Sequence, residues 1–287
     1  MPAASTLLRP ALRIARLPRL PIYHRLCIEE ALFYKTSDNW FVYSEGPPSD
    51  PPTVVLGISG KPERMCNLEL VQQDGIPLVR RFSGGGTVIV DSDTIFTSLI
   101  VNQTDVPHVQ PYPREVMEWS KGIFGPALAA LAPPSGGSAV QLGLRENDYV
   151  FGDLKFGGNA QAISKGRWLH HTSFLWAYSP EVMRYLTLPE KRPAYRRDRP
   201  HASFLTPLHR HIAQRDDFCP AVVEALASQF EVREAPHAEI EDIIDALGGA
   251  AAWAAACRTK FVGPDGKALP DAAAAAAAAA VAEAVAQ

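Results

Sequence analysis

The sequence predicts an α+β fold of mixed, mostly antiparallel sheets flanked by helices. Three observations carry that expectation. β-branched and aromatic runs fall into two clusters, near residues 53–101 and 148–177, with helical periodicity between and after them. Within each cluster the connections are too short for a helical crossover, so neighbouring strands should pair antiparallel. The helices interrupt strand clusters rather than alternating with single strands, which disfavours a doubly wound parallel sheet.

The elements follow in order. Residues 23–34 read as a helix with Leu26, Ala31 and Leu32 inward and Glu29 and Glu30 outward. Residues 53–58 make a short buried strand, stopped by Ser59-Gly60-Lys61-Pro62. Strands follow at 76–82, 87–90 and 95–101, divided by Ser83-Gly84-Gly85-Gly86 and by Asp91-Ser92-Asp93. Pro113 opens a helix that runs to Leu131, with Val116, Trp119, Ile123 and Phe124 inward, and residues 133–138 form a loop. The second cluster holds a strand at 148–151, a Gly152-Asp153 turn, and strands at 154–163 and 168–177. Helices at 221–230 and 239–247 close the folded part.

Of 287 residues, 47% are hydrophobic and 21% charged, with a net charge of −3. That length holds one or two domains with an ordinary core. The balanced charge excludes a nucleic-acid coat protein or an acidic disordered chain. Residues 247–287 contain 19 alanines in 41 positions, which raises the apolar fraction while adding little buried area. The expected organisation is a targeting presequence at 1–20, one catalytic-type domain at 21–247, and an alanine-rich tail at 248–287, helical or poorly ordered. The presequence reading rests on Arg9, Arg13, Arg16 and Arg19 among apolar residues, with no acid before Glu29. No stretch is apolar and long enough for a transmembrane helix. Cys27, Cys66, Cys219 and Cys257 are far apart, which argues for a reducing compartment and against a disulfide framework or structural zinc site.

Three segments carry candidate chemistry. Arg80-Arg81-Phe82-Ser83-Gly84-Gly85-Gly86-Thr87-Val88 places three glycines beside two arginines, so the backbone can approach an anion closely. A glycine-rich hairpin with solvated arginines fits the same residues. In Asn147-Asp148 through Lys155-Phe156-Gly157-Gly158-Asn159-Ala160, a hairpin sets Asp148 across from Lys155, which can meet a phosphate or an oxyanion. A cross-strand ion pair without further role is the plain alternative. In His170-His171-Thr172-Ser173, adjacent strand histidines face opposite sides and cannot chelate one metal together.

Together, Arg-Arg-x-Ser-Gly-Gly-Gly-x-Val-x-x-Asp (Arg80 to Asp91), Asn147-Asp148, Lys-x-x-Gly-x-Ala (Lys155 to Ala160) and His170-His171 resemble the lipoate–protein ligase A family, within the biotin/lipoate ligase fold. Cys66-Asn67 and Glu29-Glu30 look like family positions as well. The resemblance spans roughly residues 25–205. It implies ATP-dependent activation of lipoate or octanoate to an acyl-adenylate, then transfer to a lysine of a lipoyl domain. The implied acceptors are 2-oxoacid dehydrogenase E2 subunits and the glycine-cleavage H protein. By resemblance, Ser83, Gly84, Gly85 and Gly86 with Arg81 hold the acyl and phosphate parts, and Val88 lines the pocket. Lys155 sits by the acyl carbonyl and the α-phosphate, and Asp148 orients Lys155 or helps place Mg2+. Asn147, Gly158, Ala160, His171 and Ser173 complete the substrate and ATP site.

The chain departs from the family at Ile58-Ser59-Gly60, at His171-Thr172-Ser173 in place of His-His-Gly-Thr, and after residue 215. There the larger bacterial ligases carry an accessory domain, so a separate activation-assisting protein is an expected partner. The rival activity is octanoyl or lipoyl transfer without ATP, through a catalytic cysteine. No cysteine lies between Asn67 and Phe218. A non-catalytic lipoyl- or adenylate-binding homologue is the other alternative. Residues 184–215 carry eight Lys or Arg against two acids, a surface suited to acidic lipoyl domains rather than nucleic acid or membrane. The expected location is the mitochondrion, with cytoplasm or plastid as alternatives.

Overall fold

Long strands buried on both faces, Thr94–Asn102 and Arg167–Leu175, form the middle of a seven-stranded sheet. The computed structural model describes residues 9–46, 51–132, 141–188 and 192–270. Its strands are β1 (Ala11–Arg16), β2 (Trp40–Glu45), β3 (Thr53–Leu56), β4 (Leu78–Arg80), β5 (Gly84–Gly85), β6 (Val88–Val90) and β7 (Thr94–Asn102). They continue as β8 (Leu142–Arg145), β9 (Asp148–Phe151), β10 (Leu154–Lys155), β11 (Gly157–Ser164), β12 (Arg167–Leu175), β13 (Glu231–Glu234) and β14 (Lys260–Phe261). The large sheet runs β13-β1-β2-β7-β12-β11-β5, a second runs β14-β4-β3-β6, and a third runs β10-β9-β8. Most pairs are antiparallel, while β13–β1, β1–β2 and β3–β4 are parallel. The α+β expectation therefore holds.

The helices occupy both sides of these sheets. Among them are α1 (Ile22–Lys35), α2 (Pro62–Met65), α3 (Leu68–Gln73) and α4 (Pro113–Ala130). Then come α5 (Pro180–Met183), α6 (His201–Phe204), α7 (Phe218–Leu226), α8 (His237–Asp245) and α9 (Gly249–Ala256). Pro113 fills the first turn of α4, where its missing N–H costs nothing. Val116, Met117, Ile123 and Phe124 pack with Phe174, Phe218 and Val222 in the main core. Helix α1 lies between the large and small sheets, with Leu26, Ala31, Val55, Val90 and Phe96 in one cluster. No helix among the described residues is long and apolar enough to cross a membrane.

Several expectations change. The strands at 78–80, 88–90 and 94–102 do not form one meander: β4 and β6 flank β3 from opposite sides, and β7 leaves for the large sheet. A short connection suits a hairpin but does not compel one. Glu29 and Glu30 point inward, both almost fully buried, because each meets a partner distant in sequence. Residues 11–16, inside the stretch expected as a presequence, form β1 between β2 and β13, with Leu12 and Ile14 buried. The domain also passes residue 247. Trp253 of α9 donates to the Cys27 carbonyl at 2.8 Å, Phe261 stacks on Tyr23, and β14 pairs with β4. Glu30 accepts the backbone N–H groups of Arg258 and Thr259 at 2.6 and 3.0 Å, which ties that segment to α1. The nine-alanine run and the loop at 133–138 lie outside the described residues.

Candidate active site

The glycine loop joins two sheets. It leaves β4 in the small sheet, forms β5 against β11 of the large sheet, and returns as β6. Gly85 has φ 113°, and a Cβ there would come within 2.7 Å of the Asn159 carbonyl, so only glycine fits. Arg81 is buried beneath the loop. Its guanidinium donates to the carbonyls of Val55 at 3.3 Å, Gly84 at 3.1 Å and Gly86 at 2.7 Å, and burial lowers its pKa to about 10. In this arrangement Arg81 fastens the loop from within rather than presenting its fork to a phosphate. Ser83 is also buried, and its carbonyl accepts the Ile58 N–H.

A cleft of about 680 Å³ opens in front of the loop. Gly84, Gly85 and Gly86 meet Asn147, Asp148, Lys155 and Ala160 there. Lys155 pairs with Val150 across the β9–β10 turn, not with Asp148. Both Lys155 and Asp148 nevertheless face the same side, two residues apart in register, and Nζ lies 2.5 Å from Asp148 Oδ1. Tyr195 donates to the other oxygen, Oδ2, at 2.8 Å. Arg196 adds positive charge to the rim beside His201, which is pushed down to about 4 by burial first, then by Arg196 and Lys155. At neutral pH it is an uncharged imidazole. The turn into β9 is strained: Glu146 takes φ 50° without being glycine, and its carboxylate accepts the Ala194 N–H at 2.6 Å.

Both oxygens of the Asp148 carboxylate are occupied by side-chain partners in this arrangement. One oxygen faces an ammonium and the other a phenol, and the described residues contain no group of three His, Cys, Asp or Glu able to hold a metal. The geometry fits orientation of Lys155, the other role expected of Asp148.

A second hollow, about 10 Å³, lies behind the loop, lined by Arg81, Val88, Gly158, His171 and Ser173 together with Leu26 and Val55. Apart from the buried Ser83, which lines neither, the site residues expected from the sequence thus divide into two groups that share Ala160. Strand parity explains the division. His170 and Thr172 face the side of Asn159 and Gln161, and His171 and Ser173 face α1. Behind His171 stands a set that spacing did not reveal. Both Glu29 oxygens lie 3.0 Å from His171 Nδ1, Ser98 donates to Glu29 at 2.7 Å, and Arg25 pairs with Glu29. His171 Nε2 lies 3.0 Å from the Ser173 hydroxyl. Burial lowers Arg25 to about 9 and, with Arg25 and Arg81 nearby, holds His171 well below its ordinary value. The i, i+4 spacing of Arg25 and Glu29 is the one signal that could have marked this pair. Nothing local marks Tyr195, Arg196 or His201.

None of the four cysteines lines the main cleft. Cys66, which bridges to Leu186 near its edge, is pushed up to about 11 by burial, so it is a thiol at neutral pH.

Residues 23–231 match the model of the lipoyl protein ligase A/B catalytic domain. The chain is 29% identical over 177 residues to the inactive lipoate–protein ligase 2 of Plasmodium falciparum, covering 53% of this chain and 46% of that protein. It is 31% identical over 182 residues to the human mitochondrial lipoyl amidotransferase LIPT1, covering 62% and 44%. The chain therefore spans about half the length of these curated relatives. Among solved structures, lipoate-protein ligase A bound with ATP superposes with a TM-score of 0.63 at 16% identity, over 84% of this chain and 94% of that one. The bi-partite lipoate protein ligase of Thermoplasma acidophilum, described with its E2 lipoyl domain, gives 0.59 at 16% identity, over 84% and 92%. Those structural likenesses establish the fold, and the matched domain establishes the lineage: the chain belongs to the lipoyl protein ligase A/B catalytic-domain family, whose members are ligases and transferases of protein lipoylation.

Proposed function

We propose that the protein activates lipoate or octanoate with ATP to an acyl-adenylate and transfers the acyl group to a lysine of a lipoyl domain. The observation that carries this reading is the Lys155–Asp148 pair, set in a cleft between the glycine loop and the Arg196–His201 rim. One relative is named inactive, so lineage alone does not carry activity; the residues of this cleft are what support the reading. Lys155 is the cleft cation able to exchange its carboxylate partner for the phosphate of a mixed anhydride and then to offset charge on the carbonyl oxygen. The acceptor amine, having lost a proton to solvent, forms the new C–N bond. The bond from the acyl carbon to the phosphate-bridging oxygen breaks, AMP leaves with that oxygen and the electron pair, and the nitrogen sheds a second proton to solvent to give the amide.

The hollow lined by Leu26, Val55 and Val88 is the acyl side in this reading. An acyl chain of lipoyl size is far larger than about 10 Å³, so this reading requires the hollow to widen when the chain binds. The basic rim suits an acidic acceptor, the E2 lipoyl domains or the glycine-cleavage H protein. Mitochondrial residence is supported by the mitochondrial relative. Because β1 sits in the sheet, any processing that preserves this fold falls before residue 11.

The test is incubation of the full chain with an apo-lipoyl domain, read by mass spectrometry, under three supplies of acyl group. Transfer from lipoate with ATP and Mg2+ supports the ligase. Transfer from preformed lipoyl-AMP alone supports the transfer half, with activation by a separate protein. Transfer from an octanoylated acyl carrier protein without ATP selects the rival, and no transfer from any donor removes the enzymatic reading.

A further inference from the structure

The basic stretch around residues 192–206 does more than line a rim. It is stitched to the β8–β9–β10 ribbon at several points: Ala194 N–H to Glu146 in the β8–β9 turn, Arg199 to the Asp153 carbonyl at 3.1 Å, and Thr206 N–H to the Lys155 carbonyl at 2.8 Å. Tyr195 sits among these contacts. Its ring lies against Phe204, centroids 5.4 Å apart, and Phe204 also carries the Arg196 guanidinium at 4.5 Å. The phenol is therefore held in place, and its hydroxyl is spent on one acceptor, Asp148 Oδ2.

Without that bond, Asp148 keeps a single hydrogen-bonding partner, Lys155, on the other oxygen, with the Arg196 charge nearby. A carboxylate held at one oxygen can turn about its terminal torsion, which is soft, and Lys155 would move with it. Burial and the Asp148 charge raise the Tyr195 pKa, so the hydroxyl remains a donor across the working range.

We infer that Tyr195 is a positioning residue: by fixing Asp148 it aims the Lys155 ammonium at the reacting carbonyl and phosphate. The inference rests on the proposed acyl transfer for its role, though not for its geometry. The groups facing the Asp148–Lys155 pair are Tyr195 and Arg196 from this segment, His201 from α6, and Asn147 from the β8–β9 turn.

The experiment compares wild type, Y195F, D148N and the double variant, each as the full chain. Transfer from preformed lipoyl-AMP to an apo-lipoyl domain gives kcat and KM. Y195F should lower kcat about tenfold, the scale of one hydrogen bond to a charged group, with KM for the lipoyl domain nearly unchanged. Adding Y195F to D148N should change nothing further, because the phenol acts through that carboxylate. A further tenfold loss in the double variant, or a loss confined to KM, overturns the inference and makes Tyr195 a support for docking.

A second readout needs no turnover. Competitive acetylation of lysines by acetic anhydride, resolved by peptide mass, should label Lys155 about threefold faster in Y195F, the scale of a loosened, partly exposed ion pair. The double variant should again match D148N. Unchanged labelling of Lys155 in Y195F overturns the inference. If wild type transfers nothing while Y195F still speeds labelling, the proposed function fails and the positioning stands.

Discussion

Two ionic sets flank the β11–β12 pair, and they differ in access to water. Arg25, Glu29 and His171 are sealed, with Arg25 and Glu29 at 0% exposure. The side chains of Lys155 and Asp148 retain 23% and 7% exposure at the cleft. A sealed charge has no alternative partner, so its pairing is a condition of folding. A cleft ion pair can trade its partner for a ligand at small cost. The sealed set builds the wall of the site, and the open pair is placed to do chemistry.

The largest effect that can break this distinction is Glu29→Ala. It strips Arg25 of its carboxylate in the interior and should destabilise the fold by about 3–5 kcal/mol, read by denaturant melts. A loss below about 1 kcal/mol would put the two sets on equal footing.

Next comes Lys155→Ala. Transfer to a lipoyl domain should fall by about 10²–10³-fold, the effect of removing one charge-stabilising donor. The melting transition should barely move, since the lost pair is partly exposed. Full activity in K155A would remove the central assignment, and unfolding of K155A would show that the pair is structural.

The smallest effect is a pH slope. His170 is lowered to about 3, by burial first and by His171 second. The unfolded chain takes up a proton as pH falls through about 6.5, while the folded chain stays neutral there until about 3. Stability contributed by keeping His170 neutral is therefore lost as pH falls from about 6.5, at about 1.4 kcal/mol per unit for this one group. Urea melts of wild type and His170→Gln between pH 7 and 5 should diverge by that slope. Parallel lines would mean that His170 charges in the folded state.

Much of the site was legible because it is local. Ser83-Gly84-Gly85-Gly86 marks a close backbone approach, and Asp148 and Lys155 bracket a tight turn, so few residues decide their geometry. Arg81 belongs to the expected loop, while nothing local says that its guanidinium turns under the loop to hold the Gly84 and Gly86 carbonyls. The N-terminal arginines recur at nearly helical spacing, which hid the period-two pattern of Leu12 and Ile14. That pattern becomes a strand only when β2 and β13 supply its edges. Glu29 and Glu30 misled for the converse reason: a charged pair on a helix ordinarily faces water, unless remote residues satisfy it.

By itself the sequence determined the α+β class, the glycine loop, the hairpin that carries Lys155 and the lineage, since each depends on residues close together in the chain. Tertiary structure alone decided which charges are sealed, how the expected site splits into two hollows, and that Tyr195 meets Asp148. Those outcomes turn on burial and on partners 47 to 229 residues away, as in Tyr195 with Asp148 and Glu30 with Thr259. Desolvation is a property of the packed molecule, and no window along the chain contains it.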